Sequence, residues 1–334
     1  MFFTIGHKLI VKFSNYYYKF QIMTNLANKK ISITGGDGFL GQHLVKALKK
    51  RNCKNISVVS HKNYDLVKSD DVKKMYSSQK PDIVFHLAAA VGGIEINKKN
   101  PGKFFYENAI MNLQVIHEGF KNKIEKIIST GTVSCYPNNS PLPFTEENIW
   151  NGFPEEANAP YGIAKRIMHV QSESYKKQYN FNSILLLLTN LYGPNDNFDV
   201  SSSHVIAALI RRFYEAKKNK LKKVIIWGDG TATRDFCFVE DIAEGIVLAA
   251  EKYNDSSPLN LASGKEFTIK EIAMIIKNKL KYEGDITWDS TKPTGPRRRL
   301  VDIKKAKKLI GYKVPTTLEK GLEETINWYQ EKHN

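Results

Sequence analysis

At 334 residues, 42% hydrophobic and 25% charged, the chain is of ordinary globular make-up, long enough for one large or two modest domains. Its three cysteines, Cys53, Cys135 and Cys237, form no C-x-x-C pair and leave an odd thiol, which excludes a disulfide scaffold and points to a reducing, cytoplasmic setting. The net charge of +16 includes five lysines and no acid in residues 1–30, leaving +11 elsewhere; no recognition-helix, zinc or aromatic RNA-binding pattern accompanies it, so nucleic acid is not an expected partner.

Residues 1–29 read as an extension, aromatic and basic around Tyr16-Tyr17-Tyr18 and without the apolar stretch of a secretory signal. Disorder is expected there, or a true start at Met23, with a weak targeting or membrane-surface segment as the sharper alternative. No later stretch is apolar enough over sufficient length to span a bilayer, so no membrane partner is expected. From Lys30 the pattern alternates. Strands are expected over 31–34, 56–59, 82–86, 126–129 and 183–188, and helices over 39–50, 100–122 and 160–179. Repeated βα units of this length predict a parallel sheet with helices on both faces. After Asn190 the rhythm loosens, with helices expected over 202–218 and 241–252 and strands over 224–227 and 258–261, the last rejoining the main sheet. The fold class is therefore α/β, a Rossmann-like doubly wound sheet with a smaller α/β C-terminal substrate domain. Residues 30–190 with about 236–263 are expected to hold the cofactor, and 191–235 with about 264–334 the substrate.

The first expected strand runs into Thr34-Gly35-Gly36-Asp37-Gly38-Phe39-Leu40-Gly41, which satisfies G-x-G-x-x-G through Gly36, Gly38 and Gly41 and G-x-x-G-x-x-G through Gly35, Gly38 and Gly41. Such glycines permit a tight turn and close approach of backbone to a pyrophosphate at the positive end of the next helix. The second strand ends in Val59-Ser60-His61-Lys62, with no carboxylate before Asp65. An acid there would repel a 2′-phosphate, whereas cation and hydroxyl suit one, so NADP(H) is expected over NAD(H). Farther on, Tyr161 and Lys165 stand one helical turn apart on one face. A phenol of pKa about 10 is a poor acid at neutral pH. A neighbouring ammonium lowers that value and lets the tyrosine exchange a proton with a sugar oxygen.

Taken with Asp82-x-Val84-x-His86-Leu87-Ala88-Ala89, these elements resemble the extended short-chain dehydrogenases that act on nucleotide sugars. The finer pattern is similar to the GDP-L-fucose synthase family, the 3,5-epimerase/4-reductases of GDP-4-keto-6-deoxymannose. It is carried by Ala89-Ala90-Val91-Gly92-Gly93-Ile94, by residues 189–198, by Ser203-His204-Val205-Ile206 with Arg211-Arg212, and by Trp227-Gly228-Asp229-Gly230 with Arg234. The resemblance implies a reductive centre of Thr132, Tyr161 and Lys165. It further implies a cofactor site of Gly35, Gly38, Phe39, Leu40, Gly41, His61, Asp65, Leu66, Leu87, Ala88, Ala89, Asn190 and His204 around that centre. A GDP-sugar would meet Asn190, Arg212, Trp227, Arg234, Arg298 and Arg299. No metal is implied, and a homodimer through the two long helices of the cofactor domain is.

Epimerisation beside a ketone asks for a base and an acid across the ring, which the family takes from a cysteine and a histidine. His204 fits the histidine. The cysteine pattern resembles Gly-Ser-Ser-Cys-x-Tyr-Pro, whereas this chain has Gly131-Thr132-Val133-Ser134-Cys135-Tyr136-Pro137, so Ser134 fills the slot and Cys135 lies one position later. Either a local shift brings Cys135 into service, or carbon 4 is reduced with impaired epimerisation, since a serine hydroxyl is a feeble acid/base. Two other readings are a GDP-sugar epimerase with no net redox change and a catalytically silent scaffold. Intact Thr132, Tyr161 and Lys165 argue against the second.

Overall fold

The computed structural model describes residues 3–5, 8–13, 16–21, 23–92, 99–200, 202–292 and 295–333, with side chains from residue 23 onward. Gly93 and Ile94, singled out above, lie outside the described residues. Where disorder is expected at the N-terminus, three short strands form instead: β1 (Phe3–Ile5), β2 (Lys8–Phe13) and β3 (Tyr16–Gln21), paired antiparallel. Runs such as Leu9-Ile10-Val11 and Tyr16-Tyr17-Tyr18 carry the β-branched and aromatic residues that favour pleated pairing.

The main body follows as β4 (Ile31–Thr34), α1 (Phe39–Lys50), β5 (Ile56–Val59), α2 (Ser69–Gln79), β6 (Ile83–His86), α3 (Pro101–Lys121), β7 (Lys126–Thr132), α4 (Ala159–Tyr179), β8 (Ser183–Leu188) and β9 (Asn190–Tyr192). Then come α5 (Val205–Lys218), β10 (Lys223–Trp227), β11 (Thr233–Arg234), β12 (Phe236–Phe238), α6 (Val239–Lys252), β13 (Leu259–Leu261), β14 (Phe267–Thr268), α7 (Ile269–Lys279), β15 (Asp285–Asp289), α8 (Lys304–Ile310) and α9 (Leu318–His333). Six strands form the central sheet in the order β13-β8-β7-β6-β4-β5, every pair parallel. Strands β4, β6 and β8 are buried at every position. A parallel sheet covered on both faces by crossover helices requires that. The chain leaves β4 to one side through α1 and β5, then crosses back to β6 on the other. The strand order thus reverses between β4 and β6, where the carboxyl ends open a crevice. A second apolar core, built on Phe213, Ile226, Ile272, Ile276, Leu322 and Ile326, supports the helices and short strands that face this crevice.

Two buried polar clusters fix the frame. Thr34 Oγ1 lies 2.7 Å from His86 Nδ1, His86 Nε2 lies 3.0 Å from Asn112 Oδ1, and Asn112 Nδ2 donates to Ala164 O at 2.9 Å. Burial, and then the charge of Lys165, holds the imidazole pKa down to about 3, so His86 is neutral. One proton arrangement satisfies the chain: the hydroxyl donates to Nδ1 and Nε2–H donates to the amide oxygen. This string runs from the strand before the glycine turn to the helix carrying Tyr161 and Lys165. In the second cluster Lys126 Nζ, fully enclosed, donates to the carbonyls of Ala250 and Tyr253, each at 2.6 Å, and to Asn254 Oδ1 at 3.0 Å. Those carbonyls end α6, whose negative pole favours the cation. Lys126→Met leaves them without a donor, and a loss of about 2 kcal/mol is expected from urea unfolding.

Candidate active site

Gly35 turns the chain out of β4 with φ +69°, and a Cβ there would meet Ala88 N at 3.0 Å. At Gly41 the space is closed: a Cβ would lie 2.3 Å from Gly35 O and 2.5 Å from Gly36 Cα. Helix α1 can sit over the turn only because position 41 has no side chain. Gly38, its N-cap, offers no capping side chain, and no acid occupies the first turn. Among the described residues the leading N–H groups therefore have no protein partner where they border the crevice, as an anion site requires. Gly41→Ala is expected to weaken NADPH binding at least roughly tenfold in a fluorescence titration, since backbone rather than a flexible side chain has to yield.

The crevice has two connected parts. The larger, about 790 Å³, is lined by Gly35, Gly38, Phe39, Leu40 and Gly41, by His61, Asp65 and Leu66 from the β5 side, and by Leu87, Ala88 and Ala89 after β6. Thr132, Tyr161 and Lys165 close its far end. Tyr64, Lys103 and Glu107 also line it, although no motif marked them. Lys62, the cation of the NADP argument, is exposed outside this lining, while His61 is within it. The smaller part, about 360 Å³, is lined by Ser134, Glu155, Asn190, His204, Arg234 and Arg299. Thr132 and Tyr161 border both. Asn190 and His204, expected against the cofactor, belong to the smaller part; Asn190 Nδ2 is held by Asp235 O at 3.0 Å.

Lys165 Nζ is buried without a hydrogen-bond partner among the described residues and lies 5.8 Å from the Tyr161 ring centroid. Burial lowers its pKa to about 8. The expected lowering of the Tyr161 phenol is not found, because burial dominates and, with the Cys135 thiol beside it, pushes the phenol up. Tyr161 therefore stays protonated at neutral pH, the form a proton donor needs. The orphaned ammonium on the wall of the larger cleft, the glycine turn and the uncapped helix fit a dinucleotide whose ribose hydroxyls complete Lys165.

The loop after β7 decides between its two acid/base candidates. Thr132 Oγ1 accepts from Ser134 N at 3.2 Å and starts a single 3₁₀ turn over Val133–Cys135. That turn points Ser134 into the smaller cleft and Cys135 into the core, its Sγ donating to Gly162 O at 3.5 Å. The expectation for Cys135 is thus corrected: the thiol is wholly buried, lines neither cleft, and is pushed up to about 11 by burial. His204 opens the first turn of α5, and desolvation keeps its imidazole below the usual value, neutral at neutral pH.

Among the cationic groups of the smaller cleft, Arg299 Nη2 meets Glu155 Oε2 at 2.8 Å, and Arg234 donates to Thr233 O at 2.7 Å. Three expected substrate residues line neither cleft. Arg298 pairs with Glu266 at the surface. Arg212, on α5, lies 5.7 Å from the ring centre of Trp227 at the end of β10. Among the described residues no cluster of metal-ligating side chains occurs.

The sequence pattern of the NAD dependent epimerase/dehydratase family matches residues 31–262. The chain belongs to that family. Within it, the chain is 36% identical to GDP-L-fucose synthase 1 of Arabidopsis thaliana over 90% of its own length and 93% of that protein. It is 33% identical to the GDP-L-fucose synthase of Escherichia coli, covering 92% and 99%. Among solved structures, a GDP-6-OMe-4-keto-L-xylo-heptose reductase from C. jejuni superposes with a TM-score of 0.85 at 30% identity, over 92% of this chain and 99% of that one. A GDP-L-fucose synthetase from Naegleria fowleri bound to NADP gives 0.85 at 27% identity, covering 92% and 94%. The family membership bears out the resemblance drawn from the glycine turn and the Tyr-x-x-x-Lys pair.

Proposed function

We propose that the chain converts GDP-4-keto-6-deoxy-D-mannose to GDP-L-fucose by 3,5-epimerisation and NADPH-dependent reduction at carbon 4. The observation carrying this reading is that Thr132 and Tyr161 border both clefts, so one hydroxyl pair can reach a ketone in the smaller cleft beside a dinucleotide in the larger. NADPH, when bound, supplies the hydride for carbon 4. Thr132 and Tyr161 hold the ketone oxygen, Tyr161 gives it a proton, and Lys165 meets the ribose and balances the charge left on the phenol. Arg234 and Arg299 take the diphosphate. His204 serves epimerisation from one wall. NADPH is favoured by His61 at the ribose end and by the NADP-bound relative. In this reading residues 30–190 with about 236–263 carry the cofactor and 191–235 with about 264–334 the sugar nucleotide.

A homodimer through α3 and α4 is part of the same reading, since Phe105, Tyr106, Leu113 and Val170 expose apolar surface on these two packed helices. No described helix is long and apolar enough to cross a membrane, and three free buried cysteines accord with the cytoplasm. A second reading, reduction without full epimerisation, is favoured by Ser134 standing where the family uses a thiol and by the heptose reductase relative. Incubation with GDP-4-keto-6-deoxymannose and NADPH, with NMR of the product, separates them. An L-configured product supports the first, a D-configured reduced product the second, and absence of NADPH oxidation overturns both.

A further inference from the structure

We propose that Glu155 is the second acid/base of the epimerisation, supplying from the α4 side the proton transfer that Ser134 cannot. This rests on the epimerising reading above. Inversion beside a ketone removes a proton from one face of the ring and returns one to the other, so two titratable groups must face the sugar. Tyr161 is committed to the ketone oxygen, and Cys135 points into the core. Of the remaining residues lining the smaller cleft, Glu155 is the sole carboxylate among the described residues, and His204 the sole imidazole. They come from different walls: His204 from the start of α5, Glu155 from the loop entering α4.

The carboxylate is held as a positioned base would be. Oε2 accepts from Asn158 Nδ2 at 2.9 Å and from Arg299 Nη2 at 2.8 Å, whereas Oε1 makes no hydrogen bond among the described residues. Asn158 is the N-cap of the helix that carries Tyr161, so base and proton donor share one support. An incoming diphosphate competes for the Arg299 fork, which couples substrate binding to release of the carboxylate. In the step itself Glu155 takes the proton from the carbon beside the ketone. The C–H electron pair enters the carbon–carbon bond to give an enolate whose oxygen stays bonded to Tyr161. A proton from the small fraction of His204 that is protonated then closes the opposite face as the carbonyl re-forms. Both groups return to their starting states by exchange with water, and no oxidant or reductant is consumed.

The test is deuterium wash-in. GDP-4-keto-6-deoxymannose is incubated in D₂O with the enzyme and NADP⁺, which blocks hydride transfer, and label at carbons 3 and 5 is read by NMR. Glu155→Gln is expected to lose wash-in at least about 100-fold relative to wild type, and Glu155→Asp to recover a measurable part. NADPH binding by fluorescence reports that each variant is folded, since that cleft does not include position 155; should Glu155→Gln not fold, the Asp variant and wild type carry the comparison. Wash-in by Glu155→Gln within threefold of wild type, or none by wild type, overturns the proposal. Parallel NADPH oxidation by wild type keeps the cases apart: its absence removes the functional reading, its presence with undiminished wash-in in Glu155→Gln removes only the role of Glu155.

Discussion

Tyr161→Phe is expected to lower kcat for NADPH oxidation about 10³-fold while KM changes little. The hydroxyl borders both clefts and stays protonated, so its loss removes the acid that completes hydride addition without removing a phosphate contact. A positioned general acid contributes roughly 10²–10⁴-fold. The pH profile supplies a second readout. Burial lowers Lys165 to about 8, so the ammonium is present below that pH and absent above it. Because the cation balances the phenolate left on Tyr161, kcat/KM should fall as pH rises through about 8, and Lys165→Met should show no such limb. Full activity in Tyr161→Phe would contradict the assignment.

Arg299→Ala is expected to raise KM for the GDP-sugar about 100-fold with kcat changed far less. A charge-assisted hydrogen bond to an anion is worth about 1.5–3 kcal/mol, and removing this guanidinium also leaves Glu155 facing the diphosphate. Arg298→Ala serves as the contrast. Its neighbour in sequence lines the cleft, but Arg298 is at the surface with Glu266, so a change of less than about twofold is expected. Steady-state kinetics on the two variants distinguishes them. Equal effects would place the diphosphate elsewhere along the arginine run.

Which residues could be read from sequence follows from how local their cause is. The strands at 31–34, 83–86 and 183–188 are legible because a sheet covered on both faces demands unbroken burial, and the glycine turn because backbone contact at Gly41 admits no side chain. Helix α2 escaped notice: only Val72, Met75 and Tyr76 are buried in eleven otherwise polar positions, too narrow a stripe to stand out. The choice between Ser134 and Cys135 could not be made from spacing, since it depends on Thr132 capping a 3₁₀ turn that rotates one side chain in and the next away. The rise of the Tyr161 phenol likewise depends on how deeply the walls enclose it, which periodicity does not record. Glu155 and Lys103 belong to no motif; tertiary packing alone brings them to the clefts.

The most direct measurement of the central claim is a single turnover with NADPH deuterated at the transferable position of its nicotinamide. One deuterium is expected at carbon 4 of the sugar in the GDP-hexose product, seen by NMR, with transfer lost in Tyr161→Phe. A turned-over sugar without label at carbon 4, or label delivered undiminished by the phenylalanine variant, would contradict it.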